Sequence, residues 1–142
     1  MADLIHVVCP TCDSVNRLPP ERDAKIAKCG RCKNLLFQGR PVALDTARFR
    51  KHLAGSGIPL IVDFWAGWCG PCRAMAPMFD QAAASLEPGA RFVKVDVDAE
   101  STLAAEYSVR GIPALFLFKH GKVAEQHAGV AEPSLLRRWA QS

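Results

Sequence analysis

The sequence predicts an α/β fold in which helices flank a central mixed sheet, preceded by a small cysteine-rich domain. Three features predict it: strand and helix patterns alternate after residue 40, a hairpin pattern precedes the last helix, and four of the six cysteines lie within the first 32 residues. Strands that alternate with helices favour a sheet covered on both faces. We predict two domains, residues 1–38 and 39–142, that meet at a Gly-Arg-Pro sequence.

The first half of the larger domain is predicted to contain two strands and a helix. Residues 41–44 form a short edge strand. Asp45 or Thr46 caps a helix that ends at residue 53, since short polar side chains accept hydrogen bonds from the first free N–H groups. Residues 60–65 are an almost continuous apolar run bounded by proline and glycine. Such a run is typical of a central strand that is buried on both faces.

The long helix that follows is predicted from an apolar stripe over residues 72–86. Pro77 lies inside the stripe and is expected to kink the helix, because proline lacks an N–H and crowds the preceding turn. The remaining elements are a strand at 91–96, a short helix at 101–107, a strand at 114–118, a hairpin turn at 119–122, a strand at 123–128 and a closing helix at 133–141.

Composition and charge exclude several classes of protein. With 49% apolar and 23% charged residues, the chain is globular rather than disordered. Its net charge of +4 includes no run of like charges, so a nucleic-acid-binding tail is not expected. No apolar run approaches the roughly 18 residues of a membrane span, and the first residues lack the pattern of a secretory signal. We expect a cytoplasmic protein with no membrane partner, in a reducing compartment that disfavours fixed disulfides.

The first two cysteine pairs have the spacing of a metal clamp. Cys9, Cys12, Cys29 and Cys32 form the pattern C-x₂-C-x₁₆-C-x₂-C, which is typical of a structural zinc site. Two residues between cysteines let a tight turn present both sulfurs to one ion, and two such turns complete a tetrahedron. We predict one Zn²⁺ per chain, in a structural or a regulatory role, with disulfides and free thiols as the alternatives. His6 is near in sequence, but four cysteines already complete the ligand set.

Zinc also accounts for how the small domain folds. Segments shorter than about 40 residues rarely fold unaided, and residues 1–38 contain few large apolar side chains. Zinc binding in comparable peptides contributes on the order of 10 kcal/mol. Nucleic acid is not an expected partner, because residues 1–40 carry seven Lys and Arg against four Asp and Glu, and four thiolates around Zn²⁺ lower this small excess further.

The third pair, within Trp-Cys-Gly-Pro-Cys at residues 68–72, lies in different surroundings. It follows a predicted buried strand and opens a helix, which is typical of a redox motif. Pro71 suits the first helical turn, where a missing N–H costs nothing. Cys69 lies beside free backbone N–H groups at the positive end of the helix dipole, and both favour the thiolate. We predict Cys69 as nucleophile and Cys72 as resolving thiol; a third structural clamp would require a partner pair, and none remains.

Several motifs resemble those of the thioredoxin family: VDFWAGWCGPC at 62–72, KVDVD at 94–98, GIPA at 111–114 and FKHGK at 118–122. Residues 41–142 are similar to thioredoxins along their whole length, and the cysteine pairs in front are similar to those of the zinc-containing bacterial branch. The resemblance implies a thioredoxin fold behind a small N-terminal zinc-ribbon-like domain. Gly67 stands where many relatives have Glu or Pro, and Ala114 where many have Thr.

The resemblance also implies roles for single residues. Asp63 matches the buried acid that assists proton transfer at the second cysteine, where burial would raise its pKa, and Lys94 matches its neighbour. Pro113 matches the cis-proline that faces the disulfide and docks the substrate backbone. The implied substrate-binding rim consists of Trp68, Gly111, Ile112 and Gly129. Three alternatives stay open: Asp63 as a cap or paired group in the core, Trp68 as packing, and Pro113 as an ordinary trans turn residue.

The implied function is that of a protein-disulfide reductase. Its partners would be disulfide-containing proteins and an NADPH-dependent thioredoxin reductase that resets the oxidised pair. The sequence contains no glycine-rich dinucleotide fingerprint, so no bound flavin or nicotinamide is expected. Two other functions stay open. One is a disulfide oxidase or isomerase, which would have a higher reduction potential; the other is a binding or adaptor module in which the zinc ribbon recognises the partner.

Overall fold

Strands and helices alternate along the chain after a short N-terminal hairpin. The computed structural model describes residues 3–142. The strands are β1 (Ile5–Val8), β2 (Val15–Leu18), β3 (Val42–Ala43), β4 (Leu60–Trp65), β5 (Arg91–Asp96), β6 (Ala114–Lys119) and β7 (Lys122–Ala128). The helices are α1 (Thr46–Gly55), α2 (Gly70–Leu86), α3 (Ser101–Glu106) and α4 (Pro133–Ala140). Within the described residues, no helix combines the length and the apolar character needed to cross a membrane.

The central sheet has the strand order β3-β5-β4-β6-β7, which confirms the predicted mixed α/β architecture. β4 lies in the middle, parallel to β5 and antiparallel to β6; β3 is parallel to β5 at one edge, and β7 is antiparallel to β6 at the other. Side chains of β4 alternate between two cores. Ile61 packs with α2 and α4 on one face, and Val62 and Phe64 pack with α1 and α3 on the other.

The elements predicted after residue 40 are all present, and the differences lie at their ends. β3 has two residues rather than four, and α1 continues to Gly55. The turn before β7 is shorter than predicted, because His120 and Gly121 adopt φ values of 53° and 78° that fit a two-residue hairpin turn. α2 runs through Pro77 without interruption, so the kink at Pro77 stays a prediction.

The N-terminal module, residues 5–37, contains a two-stranded hairpin that the sequence pattern did not predict. β1 and β2 pair antiparallel, with Ile5 opposite Leu18 and Val8 opposite Val15. Neither strand alternates regularly between buried and exposed residues, so the alternating pattern from which strands are predicted is absent. The small core beneath them includes two of the cysteines: Val7, Cys9, Leu18, Ala27, Cys29, Leu36 and Phe37.

The N-terminal module docks against the sheet domain, residues 41–142, where β4 and β5 begin. The Gly57 N–H donates to the His6 carbonyl at 2.8 Å, and a Cβ on Gly57 would lie 3.1 Å from the His6 nitrogen, so glycine suits this close approach. Glu87 Oε1 accepts the N–H of Gly39 at 2.8 Å. The third cysteine pair follows the other end of β4. Five residue steps of about 3.3 Å place roughly 16 Å of strand between the docked module and that pair.

Candidate active site and metal centre

The third cysteine pair lies at the turn from β4 into α2. Cys69 is the N-cap of α2, and its sulfur accepts the N–H of Cys72 at 3.2 Å. The helix begins at Gly70, two residues earlier than predicted, because Pro71 fits the first turn, where its missing N–H loses no partner. The predicted surroundings are therefore present, and Cys69 lies at the positive end of the helix dipole.

Cys69 and Cys72 are joined by a disulfide. Their Cα atoms are 5.3 Å apart, and both side chains are buried against Ala66. The Cys69 sulfur lies 3.7 Å from the carbonyl oxygen of Ile112, at the start of the predicted substrate-binding segment. A disulfide between two cysteines three residues apart can be reduced to two thiols and form again, which is the chemistry of a redox pair.

Asp63 places a fully buried carboxyl group in the middle of β4. Neither of its oxygens has a hydrogen-bond partner among the described residues. Burial raises the pKa of Asp63 to about 7, although the charge of Lys94 acts in the opposite direction. Lys94 is the partner of Asp63 across β4 and β5, and its Nζ lies 4.4 Å from the centre of the Trp65 ring. This carboxyl group can take up or release a proton near neutral pH.

Backbone is accessible around the cis-proline segment. The Ile112–Pro113 peptide bond is cis rather than trans, and the Pro113 carbonyl accepts the N–H of Gly129 at 2.8 Å. Gly129 has a φ of 88°, which glycine adopts without strain. A Cβ added to Gly129 or to Gly111 would meet nothing within 4 Å. The space beside both glycines is therefore open.

Trp68 is 71% exposed, which weighs against the alternative that its ring serves packing only. Its indole N–H donates to Asp98 Oδ2 at 2.8 Å, which fixes the ring beside the cysteine that follows it in the chain. Asp98 was not among the predicted site residues. Asp98 is the last residue of the KVDVD motif at 94–98, so the sequence did mark it. Its contact with Trp68, 30 residues earlier, could not be predicted from the motif alone.

Two turns of the same geometry carry the N-terminal cysteines, Cys9, Cys12, Cys29 and Cys32. Asp13 and Lys33, the residues directly after the turns, both have positive φ values, 66° and 68°. The N–H groups of Thr11 and Arg31 point at the sulfur of the first cysteine in each turn, both at 3.4 Å. Contacts of this kind stabilise and orient thiolate ligands.

The four sulfurs fit a single tetrahedral ion. All four lie within 4.8 Å of one another, and the Cys9–Cys32 and Cys12–Cys29 sulfur pairs are each 3.6 Å apart. Four sulfurs bound about 2.3 Å from Zn²⁺ would be separated by about 3.8 Å. Among the described residues, His6 does not belong to this group. The donor set is therefore four cysteines, which suits zinc.

Sequence reasoning missed the polar residues behind the cysteines. Asn16 Nδ2 donates to the Cys29 sulfur at 3.5 Å, and its Oδ1 accepts the N–H of Gly30 at 2.9 Å. Asp13 Oδ1 lies 3.0 Å from Nε2 of His52, a fully buried residue of α1. Burial lowers the pKa of His52 to about 4, so its ring is neutral at pH 7 and donates this hydrogen bond. No sequence pattern marks these contacts, because they depend on how the module docks.

Comparison with known proteins relates this chain to the thioredoxins. A family model described as thioredoxin matches residues 40–142, and a zinc-ribbon model described as the N-terminal part of thioredoxin 2 matches residues 8–34. Thioredoxin C-3 of Corynebacterium nephridii is 35% identical over 133 residues, which cover 94% of this chain and 91% of that protein. Thioredoxin of Pyropia yezoensis is 40% identical over 90 residues, covering 63% of this chain and 84% of that protein.

Solved structures show the same likeness. A mutant thioredoxin from Halobacterium salinarum matches with a TM-score of 0.67 at 28% identity, and the match covers 74% of this chain and 91% of that one. The two family models lie one after the other along the chain, in the same order as the four-cysteine cluster and the Cys69–Cys72 disulfide. The chain is therefore a member of the thioredoxin family of thiol–disulfide oxidoreductases, with the zinc ribbon of thioredoxin 2 in front of its thioredoxin domain.

Proposed function

We propose that the chain is a protein-disulfide reductase that acts by dithiol–disulfide exchange. The Cys69 thiolate attacks one sulfur of a substrate disulfide, forms a mixed disulfide and releases the other sulfur as a thiolate, which takes up a proton. Cys72 then attacks the Cys69 sulfur, releases the second substrate thiol and restores the Cys69–Cys72 disulfide. Two electrons pass from the pair to the substrate. The observation that carries the proposal is the disulfide at the start of α2, with the Cys72 N–H directed at the Cys69 sulfur.

Asp63 is proposed to accept the proton that Cys72 loses in the resolving step. Cys72 must lose its proton before it can attack the mixed disulfide, and a carboxyl group with a pKa of about 7 is suited to accept it. Lys94, paired with Asp63 across the sheet, favours the ionised carboxylate that forms when the proton leaves again. Both residues lie in strands, so their positions are fixed before substrate binds.

The rim around the disulfide favours protein substrates. Trp68 offers an exposed apolar ring. Gly111 is exposed, and Ile112 and Gly129 are partly exposed, so an extended segment can approach the backbone there, next to the buried Pro113. We propose disulfide-containing proteins as substrates, in the cytoplasm. A thioredoxin reductase would return the electrons from NADPH, so flavin and nicotinamide would remain on that partner.

The N-terminal cysteines are proposed to hold one Zn²⁺ per chain in the domain of residues 1–38, with the redox domain at 39–142. When bound, zinc supplies a rigid tetrahedral anchor for the two turns. Four thiolates leave no open position for a substrate, and the length of β4, about 16 Å, separates the docked module from the redox pair. The metal centre therefore organises the module and takes no direct part in disulfide exchange.

Reduction of insulin by NADPH through a thioredoxin reductase tests the function. We expect NADPH oxidation that requires this chain, one zinc ion per chain, and a change of two titratable thiols between its oxidised and reduced forms. An oxidase or isomerase would oxidise or reshuffle the substrate thiols instead. A binding module would accept electrons from the reductase without passing them on, and either result would contradict the proposal.

Replacing Asp63 by asparagine should stabilise the chain at alkaline pH while slowing turnover. The ordinary pKa of aspartate is about 3.9, so between about pH 4 and pH 7 the native state keeps a proton that the unfolded state has lost. The free energy of unfolding therefore falls as pH rises through this window, by about 1.4 kcal/mol per unit and about 4 kcal/mol in all. Asp63→Asn removes this loss, and we expect it to lower the reduction rate by about 10²-fold.

Urea unfolding at pH 4 and pH 8 measures the stability part of this prediction. The gain should appear at pH 8 and shrink to about 0.5 kcal/mol at pH 4, where the native state keeps the protonated carboxyl group and the unfolded state is about half ionised. Asp80→Asn is the matched control, because Asp80 is exposed on α2 and its replacement should change neither stability nor turnover. Equal stability of the Asp63→Asn and wild-type chains at pH 8 would show that the carboxyl group is not held neutral by burial.

A further inference from the structure

Two arginines of the sheet domain reach the backbone on either side of Cys9. Arg91 Nη2 donates to the Val8 carbonyl at 3.0 Å, and Arg48 Nη2 donates to the Pro10 carbonyl at 2.8 Å. Cys9 itself is fully buried. The two arginines come from different elements, β5 and α1, so the first cysteine of the metal centre is held from two sides by the domain on which it docks.

Arg91 is 2% exposed, and the hydrogen bonds of its side chain go to the N-terminal module. Besides Val8, the Leu36 carbonyl accepts from Nη2 at 2.7 Å, and the guanidinium lies 4.5 Å from the centre of the Phe37 ring. The carboxylate of Glu87 is 3.5 Å away. Without the two carbonyls, Arg91 would be a buried cation with incomplete hydrogen bonding, which is costly. Arg91 therefore depends on the docked position of the segment that carries Cys9.

Arg48 binds the first cysteine turn through a two-pronged contact. Its Nε and Nη2 donate to the two carboxylate oxygens of Asp13 at 2.9 Å and 3.0 Å, a bidentate geometry that holds both partners in one orientation. Asp13 directly follows Cys12, and its N–H donates to the Cys9 carbonyl at 3.0 Å. Arg48 therefore contacts the turn at two points, at Pro10 in its middle and at Asp13 just after its end.

The positive charges of these arginines are opposite in sign to the net charge of an occupied metal centre. Four thiolates around one Zn²⁺ leave a net charge of −2. Arg91 is buried, and the Arg48 side chain is 31% exposed. Each guanidinium is paired with a carboxylate, Arg48 with Asp13 and Arg91 with Glu87, so the arginines offset negative charge that would otherwise lie beside the thiolates. Groups that orient and neutralise metal ligands from behind typically change metal affinity by about 10- to 100-fold.

We propose that Arg48 and Arg91 are positioning residues for the zinc site, so that the N-terminal module binds zinc at full affinity only while it is docked on the sheet domain. The inference rests on the proposed zinc site and goes beyond it by assigning part of the metal affinity to residues of the redox domain. Coupling between two equilibria is reciprocal. Zinc binding therefore strengthens docking, and zinc occupancy stabilises the sheet domain through the same two arginines.

Zinc affinity of the full chain tests the inference, measured by competition with a chromophoric chelator. Arg48→Gln removes the charge and the two-pronged contact, and we expect its zinc dissociation constant to rise by about tenfold or more. Arg48→Lys keeps the charge but loses the bidentate contact with Asp13, so its zinc dissociation constant should lie between those of Arg48→Gln and the wild type. Arg50→Gln is the matched control, because Arg50 lies on the same helix and binds Glu106 of α3 at 2.7 Å; its affinity should equal the wild-type value.

Thermal unfolding with and without zinc separates coupling from simple interface stabilisation. If Arg48 couples the site to the sheet domain, zinc should raise the melting temperature less in Arg48→Gln than in the wild type. Equal zinc-induced shifts in the two chains, or equal zinc affinities, would overturn the inference and leave Arg48 as an ordinary interface residue. A wild-type chain that binds no zinc would overturn the proposed metal site itself. Neither result would alter the assignment of Cys69 and Cys72, which insulin reduction tests separately.

Discussion

Replacing Cys69 by serine is expected to lower insulin reduction by at least about 10³-fold, to the background rate. The reason lies in the first step, since the attacking group must be an ionised sulfur that then forms a disulfide bond to the substrate. A serine hydroxyl at the N-cap of α2 keeps its proton at neutral pH and can form no such bond. NADPH oxidation in the presence of a thioredoxin reductase measures the loss.

Cys72→Ser is the informative control for this variant, because it keeps the nucleophile and removes the resolving thiol. We expect Cys72→Ser to form a mixed disulfide with the substrate through Cys69 and to stop there, which gives a covalent adduct visible by mass spectrometry. Cys69→Ser should give no such adduct. If Cys69→Ser kept substantial turnover, or if only Cys72 formed the adduct, the roles of the two cysteines would be reversed.

Removal of zinc is expected to unfold the N-terminal module and to leave the sheet domain folded. Zinc contributes on the order of 10 kcal/mol to small four-ligand modules, whereas the core of this module is small and includes two of the ligands themselves. The sheet domain has two larger cores, one on each face, that contain no metal ligand. Amide NMR spectra should lose the dispersed signals of residues 5–37 on chelation and keep those of β4, β5 and β6.

Readdition of zinc provides the control, and should restore the lost signals if the module refolds around the metal. Turnover should persist in the metal-free chain, because the redox pair lies at the opposite end of β4 from the docked module. An N-terminal module that kept its signals without metal would contradict the proposed role of zinc. Loss of the β4 signals would contradict the independence of the two larger cores.

The sheet domain could be predicted from sequence because its signals are local. The apolar run at β4 and the helical stripe of α2 each extend over several residues, and the errors are confined to ends where a cap or a turn decides the boundary. The start of α2 shows this, since Pro71 belongs inside the helix and Cys69 caps it. The β1–β2 hairpin escaped prediction because its strands pack partly on cysteines and lack an alternating pattern.

The cysteines of both sites were found because their spacing alone defines a geometry. The residues that support them were missed for the opposite reason. Arg48 and Arg91 contact the first cysteine turn across 38 and 83 residues of sequence, and neither belongs to a motif. Their roles depend on how the N-terminal module docks against α1 and β5, which no local pattern encodes.

The acidity of the Cys69 thiol tests the central claim most directly, because the proposed reduction depends on a thiolate held at the start of α2. The rate of alkylation of Cys69 by iodoacetamide, followed against pH in the reduced chain, reports its ionisation. We expect half of the limiting rate at a clearly lower pH than for free cysteine under the same conditions. A profile that coincides with that of free cysteine would contradict the claim.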